Sequence, residues 1–71
     1  MTNKYKPPVV KYFWNTCNEK LYRITNDKSI DMWYKSKDKW WYCCTTRQEL
    51  YDSYHKGKTV LVSEEHLGRY K

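Results

Sequence analysis

The chain has 71 residues, with 14 Lys+Arg against 8 Asp+Glu for a formal charge of +6, and a mean hydropathy of −1.11. That length allows a single domain (1–71) with a modest core, and no apolar run approaches the roughly 20 residues of a membrane-spanning helix. A catalytic cleft is hard to build at this size, so a binding role is expected rather than an enzymatic one.

The apolar residues are unusual in kind. There is no alanine, and Val, Leu, Ile and Phe together supply 11 residues, a share below the roughly 20% under which a charged chain is suspected of disorder. Eight Tyr and four Trp stand against that shortage. Each can bury about 150–250 Å², so these rings are expected to serve as core. Cys17, Cys43 and Cys44 lack the spacing of a disulfide framework, and the N-terminus lacks a signal-peptide pattern. Both features fit a cytoplasmic location.

In chain order, Met1 to Pro8 reads as an extended arm ending in two prolines, which block a helix. Val9–Trp14 is β-branched and aromatic and predicts a strand. A turn at 15–19 leads to Lys20–Thr25, where Tyr22 and Ile24 alternate with Leu21, Arg23 and Thr25. Asn26-Asp27-Lys28 is turn chemistry. Ile30–Lys35 alternates again, with Ile30, Met32 and Tyr34 opposite Asp31, Trp33 and Lys35. After the charged turn 36–39, Trp40–Cys44 reads as a short apolar strand, expected at the centre of the sheet. Lys20–Cys44 is thus expected to form a three-stranded meander.

The period then changes. Thr46 followed by Glu49 is a capping box, Leu50, Tyr51 and Tyr54 form a stripe, and Gly57 supplies a stop, so a helix over 46–56 is predicted. Lys58–Val62 reads as a further strand. Ser63 to Gly68 reads as one helical turn, with Glu64 and Glu65 placed for the helix dipole and Gly68 as its stop. The fold expected is α+β: a small antiparallel meander of three to four strands packed by one helix from the C-terminal half, with a further short strand.

One helix covers one face of a sheet. Tyr22, Ile24, Ile30 and Met32 are expected to pack under Leu50 and Tyr54, extended by Val60 and Val62. The opposite face would present Arg23, Trp33 and Lys35, joined by one of the adjacent tryptophans, which must point to opposite faces; Trp41 is taken as the outward one. With Lys37 and Lys39 on the neighbouring turn, these residues suit RNA or single-stranded DNA, lysines and Arg23 meeting phosphates while Trp33 and Trp41 stack on unpaired bases. Two other readings stay open. Trp33 can instead belong to a second small core covered by Val9–Trp14. The same rings can also form a protein hot spot, for a homodimer or a host enzyme, with Val9–Trp14 or Lys58–Val62 pairing across a two-fold axis.

Metal and catalytic signals are weak. Cys43 and Cys44 point apart on a strand, and joining one of them with Cys17, His55 and His66 gives no paired-ligand spacing. His55 and His66, helped by Lys56 or Arg69, could act as acid and base in a metal-free ribonuclease, but His55 also suits a helix C-terminus. With two glycines and no phosphate loop, no cofactor is expected.

Two resemblances complete the reading. Three antiparallel strands followed by a capped helix, from Lys20 to Gly57, resemble the small sheet-plus-helix DNA-binding domains of plant transcription factors and transposon integrase arms. That likeness implies a sheet laid in the major groove, although of the sheet arginines only Arg23 is present. The Lys/Tyr/Asn/Trp-rich, alanine-free texture resembles the small accessory proteins that lytic bacteriophages make early in infection. It implies an inhibitor or regulator, acting in the host cytoplasm on a host enzyme, a defence system or a nucleic acid.

Overall fold

The computed structural model describes residues 9–26 and 28–71; the expected arm at 1–8 lies outside them. Five strands follow in the order β1 (Val10–Asn15), β2 (Lys20–Thr25), β3 (Ser29–Tyr34), β4 (Lys39–Tyr42) and, after helix α1 (Arg47–His55), β5 (Thr59–Val62); a 3₁₀ helix spans Glu64–Arg69. All pair antiparallel in one sheet of spatial order β4-β3-β2-β1-β5. The fold is α+β, a four-stranded meander whose last connection runs through α1 to place β5 beside β1.

Turn chemistry fixes the register. In the β1–β2 connection the Asn15 side-chain oxygen accepts from the Cys17 and Asn18 amides at 2.8 and 3.1 Å. Glu19 then closes the turn in the left-handed region, with φ 56°. Asn26 (φ 52°) does the same after β2, and its side chain accepts from the Val9 amide at 2.9 Å. Asp38 (φ 54°) ends the β3–β4 turn. Asn and Asp adopt this conformation at lower cost than Glu.

The capping box is present as expected. The Glu49 amide donates to the Thr46 hydroxyl at 3.1 Å, and the Thr46 amide donates to the Glu49 carboxylate at 3.0 Å. Gly57 takes φ 79° just past the C-cap Lys56. The helix buries Leu50 among Phe13, Tyr22, Ile24 and Ile30, with Met32, Cys43 and Tyr51 packed around them. The Phe13 ring packs near-perpendicular to Tyr51 and Tyr54 at centroid distances of 5.6 and 5.7 Å. Buried Thr59 shares a 2.7 Å hydrogen bond with Ser53, tying α1 to β5.

Several expectations need correction. Trp40–Cys44 is not central: its ordered part, β4, is an edge strand, and β2 holds the centre. Val9–Trp14 is not an available edge, because β1 is paired on both sides. Val62 packs on the face opposite α1, with Leu21 and Leu67, and Val60 is exposed. Gly68 lies inside the 3₁₀ helix instead of stopping it, and Ser63 makes no side-chain cap; its hydroxyl meets His66 Nδ1 at 2.9 Å.

The largest correction concerns the face expected to be open. It carries a second core of Leu21, Val62 and Leu67, flanked by Tyr12, Trp14, Trp33, Trp40 and Tyr70. The cover is the 3₁₀ helix and Tyr70, not Val9–Trp14, which lies within the sheet. An apolar face explains the need for it. Val60, Trp14 and Leu21 pair across β5, β1 and β2, and Trp33 and Trp40, paired on β3 and β4, carry the same face to the other edge. Leaving that much apolar surface in water would forgo about 25 cal/mol per Å².

Candidate nucleic-acid interface

The six residues singled out from the sequence do not share one surface. Arg23 sits in the middle of the second face, where its guanidinium donates through Nε and Nη2 to one Asp31 carboxylate oxygen, at 3.2 and 2.7 Å. Its other side lies on the Trp40 ring, 4.7 Å from the centroid. Arg23 is therefore already engaged by an anion and a π face. Trp33 is half-buried on the same face, edge-on to Trp40 at 5.4 Å. The Lys71 ammonium stands over Trp33 at 4.6 Å.

Trp41 points the other way. It pairs with Met32 on the helix side, and Trp40, not Trp41, is the cross-strand partner of Trp33. Trp41 is nonetheless 55% exposed, because it ends a row that α1 covers only in the middle. Lys39 Nζ stands 4.2 Å from the Trp41 ring centre. Lys35 and Lys37 are exposed on the β3–β4 turn between the two faces. Five of the six residues thus belong to one hairpin, with Lys35, Lys37, Lys39 and Trp41 along its turn and free edge and Trp33 inside it on β3.

Strand direction gathers more charge there than composition suggests. The β1–β2 and β3–β4 turns and the start of β5 lie at one end of the sheet, where the Thr16 amide donates to the Lys58 carbonyl at 2.8 Å. Lys20, Lys35, Lys37, Lys39, Lys56 and Lys58 therefore collect at that end, with Glu19, Asp38 and, beside Lys56 and Lys58, Asp52 as acids among them. Glu64 and Glu65 follow Val62, at the opposite end of the sheet.

A cleft of about 230 Å³ opens between the two hairpin tips at the lysine-rich end. Its walls include the rings of Trp14, Trp33 and Tyr70 and the Leu21 side chain, and Glu19, Lys20 and Lys35 supply its charges. Trp14 and Tyr70 lie 4.9 Å apart and support each other. The volume is below the roughly 300–1,000 Å³ of sites for drug-sized ligands, and suits one flat ring system. Sequence reasoning reached Trp33 and Lys35. Strand parity put Leu21 on the right face, but Tyr70 reaches the cleft only through the fold of the chain end and left no local signal.

No family model, no curated protein and no solved structure matches this chain.

The remaining candidates stay apart. His55 ends α1 on one side of the sheet, stacked edge-on with Tyr54 at 5.5 Å, whereas His66 belongs to the 3₁₀ helix on the other. Among the described residues no group of three or more His, Cys, Asp or Glu could hold a metal ion. Cys43 Sγ contacts the Thr45 hydroxyl at 3.2 Å, while Cys17 and Cys44 are exposed free thiols. Also among the described residues, no helix is long and apolar enough to cross a membrane.

Proposed function

We propose that this protein is a small basic binding module for single-stranded nucleic acid, RNA or DNA, working as a regulator or inhibitor by occupying unpaired segments. The observation that supports it best is the aromatic-walled cleft at the lysine-rich end of the sheet. Lysines neutralise phosphates and release counterions, and rings stack on bases without regard to sequence. The covered sheet faces argue against the groove-bound mode implied by the likeness to sheet-plus-helix DNA-binding domains. A duplex reader needs an open face, and here α1 and the 3₁₀ helix occupy both. The compositional likeness to early phage proteins supports an inhibitory or regulatory role in a host.

The test is a titration of fluorescein-labelled decauridylate and decathymidylate at low salt, followed by anisotropy. Binding of either with a dissociation constant in the micromolar range or tighter is expected. No binding of either at 20 mM salt refutes the reading.

One feature favours a second reading, a protein-binding module. Strand β5 is an edge whose Val60 and Leu61 project to opposite faces, 40% and 56% exposed. Such an edge can accept a strand from a second copy or a partner. Sedimentation equilibrium of the wild type and of Leu61→Lys tests it: a dimer abolished by the lysine supports pairing through β5, and a monomer at every concentration refutes self-pairing.

A further inference from the structure

We infer that a single strand of nucleic acid wraps around the free edge of β4, placing one base in the cleft on one face of the sheet and stacking another on Trp41 on the opposite face. This rests on the nucleic-acid reading above and adds to it a path and a second platform.

The geometry carries the path. The rings that wall the cleft, Trp14, Trp33 and Tyr70, lie on the face opposite Trp41, while Met32 and Tyr34 in its lining belong to the Trp41 face. Among the described residues β4, with Trp40, and the turn 35–38 stand between the cleft and the free edge. That edge carries Lys35, Lys37 and Lys39, all exposed. β4 has a sheet neighbour on one side only, so nothing among the described residues blocks passage around the other. Trp41 projects its ring at that edge, with the Lys39 ammonium 4.2 Å from the ring centre. A base on the outer face of Trp41 would keep its phosphate near the same ammonium. Tyr42, 72% exposed at the end of β4 on the cleft side, borders the same edge.

Length sets the footprint. The cleft lies between the ends of β2 and β3, so the path first crosses about two strand spacings, about 10 Å. It then rounds the edge between ring layers roughly 10 Å apart, while nucleotides advance about 3.4 Å along a strand. The wrap therefore spans about six steps and needs about seven nucleotides. A duplex cannot follow it, because double-stranded DNA stays straight over about 150 base pairs. The flexibility of a single strand is what the site selects.

The experiment is an anisotropy series on the full chain with labelled oligouridylates and oligothymidylates of two to ten nucleotides, plus a ten-base-pair duplex. Wild type is compared with Trp41→Ala, Trp41→Phe and the cleft-rim variant Lys20→Ala, each checked by thermal melting. Trp41 is largely solvent-exposed, so its substitution is expected to leave the melting temperature nearly unchanged. Wild-type affinity is expected to climb to about seven nucleotides and then level off, with the duplex bound at least tenfold more weakly. Trp41→Ala should weaken the decamers by about tenfold, leave dinucleotides unchanged and level off at a shorter length, with Trp41→Phe restoring most of the loss. If Trp41→Ala binds decamers like wild type while Lys20→Ala weakens them, the wrap is overturned and the nucleic-acid reading stands. Equal losses on dinucleotides and decamers also overturn it, since Trp41 would then be the sole platform. If wild type binds no oligonucleotide, both readings fall.

Discussion

Replacing Lys35 and Lys37 together by alanine tests whether the hairpin lysines meet phosphates. Both side chains are exposed and neither holds an ion pair among the described residues, so the fold should lose no more than about 0.5 kcal/mol. Around the cleft and the β4 edge stand Lys20, Lys35, Lys37 and Lys39. If each neutralises one phosphate of a single strand, the logarithm of affinity falls with the logarithm of salt at a slope of about −0.7 per contact, or about −2.8 for the four. From 50 to 200 mM salt that is about a 50-fold loss. The double variant keeps two contacts, a slope of about −1.4 and about a sevenfold loss over the same range. Its curve should converge on the wild-type curve as salt rises, because ring stacking carries no counterion term. The assay is anisotropy of labelled decauridylate over a series of salt concentrations. A slope equal to wild type, or a constant offset at every salt concentration, would refute phosphate contact by these two lysines.

Three further outcomes are expected. Leu67→Ala removes the apolar anchor of the 3₁₀ helix, which lies against Leu21 and Val62. It should cost about 2–5 kcal/mol of a total near 4–11 kcal/mol for this length, and red-shift tryptophan emission as Tyr70 lifts from Trp14; urea melts read by fluorescence measure both. In the capping box, the Thr46 backbone amide and then its hydroxyl hold the Glu49 carboxyl below its ordinary range. That contribution is present above the unfolded value and fades as pH falls through the lower folded one. Thr46→Ala, destabilised by about 1 kcal/mol at neutral pH, keeps the amide and loses only the hydroxyl's lesser share, so its acid melting curve should be slightly flatter than wild type there. Glu19→Asn relieves a left-handed glutamate and removes the acid lining the cleft. It should gain up to about 1 kcal/mol in stability while tightening oligonucleotide binding, and a loss in either would contradict the assignment of that turn.

What the sequence made legible was local. Alternation placed Tyr22, Ile24, Ile30 and Met32 on one face because a strand allows no other parity. Thr46, Glu49 and Gly57 fixed α1 because each satisfies a backbone need where it stands. Strand order escaped because it depends on pairings between distant segments. The apolar run Trp40–Cys44 looked central, yet two aromatic rings stay outside once it is paired on one side only. The same limit hid the cleft. Trp14, Leu21, Trp33 and Tyr70 meet across β1, β2, β3 and the chain end, and no window of sequence contains more than one or two of them. The charge segregation was hidden as well, since Lys20, Lys37 and Lys58 come to the same end of the sheet only when the turns are stacked there.

Size explains why rings remain for function after two cores are filled. Helix α1 has nine residues, about 14 Å long and about 10 Å wide with its side chains. Five strands span about 19 Å between the outer axes. Whichever way the helix lies, it cannot cover both ends of the row Leu61, Phe13, Tyr22, Met32, Trp41, and those two ends are 56% and 55% exposed. Exposure at both edges is thus a consequence of a short helix on a wide sheet, and alone says nothing about ligands. Charge separates the two edges. The Trp41 edge carries Lys35, Lys37 and Lys39 with Asp38 as its one turn acid. By contrast β5, Thr59–Val62, holds no charged residue and is flanked by Lys56 and Lys58 at its start and by Glu64 and Glu65 at its end, which balance. A polyanion would choose the first edge and a protein strand the second. The substitutions Trp41→Ala and Leu61→Lys should therefore act on different partners, the first on oligonucleotide affinity and the second on self-association. Either variant changing both properties would show that the two edges form one surface.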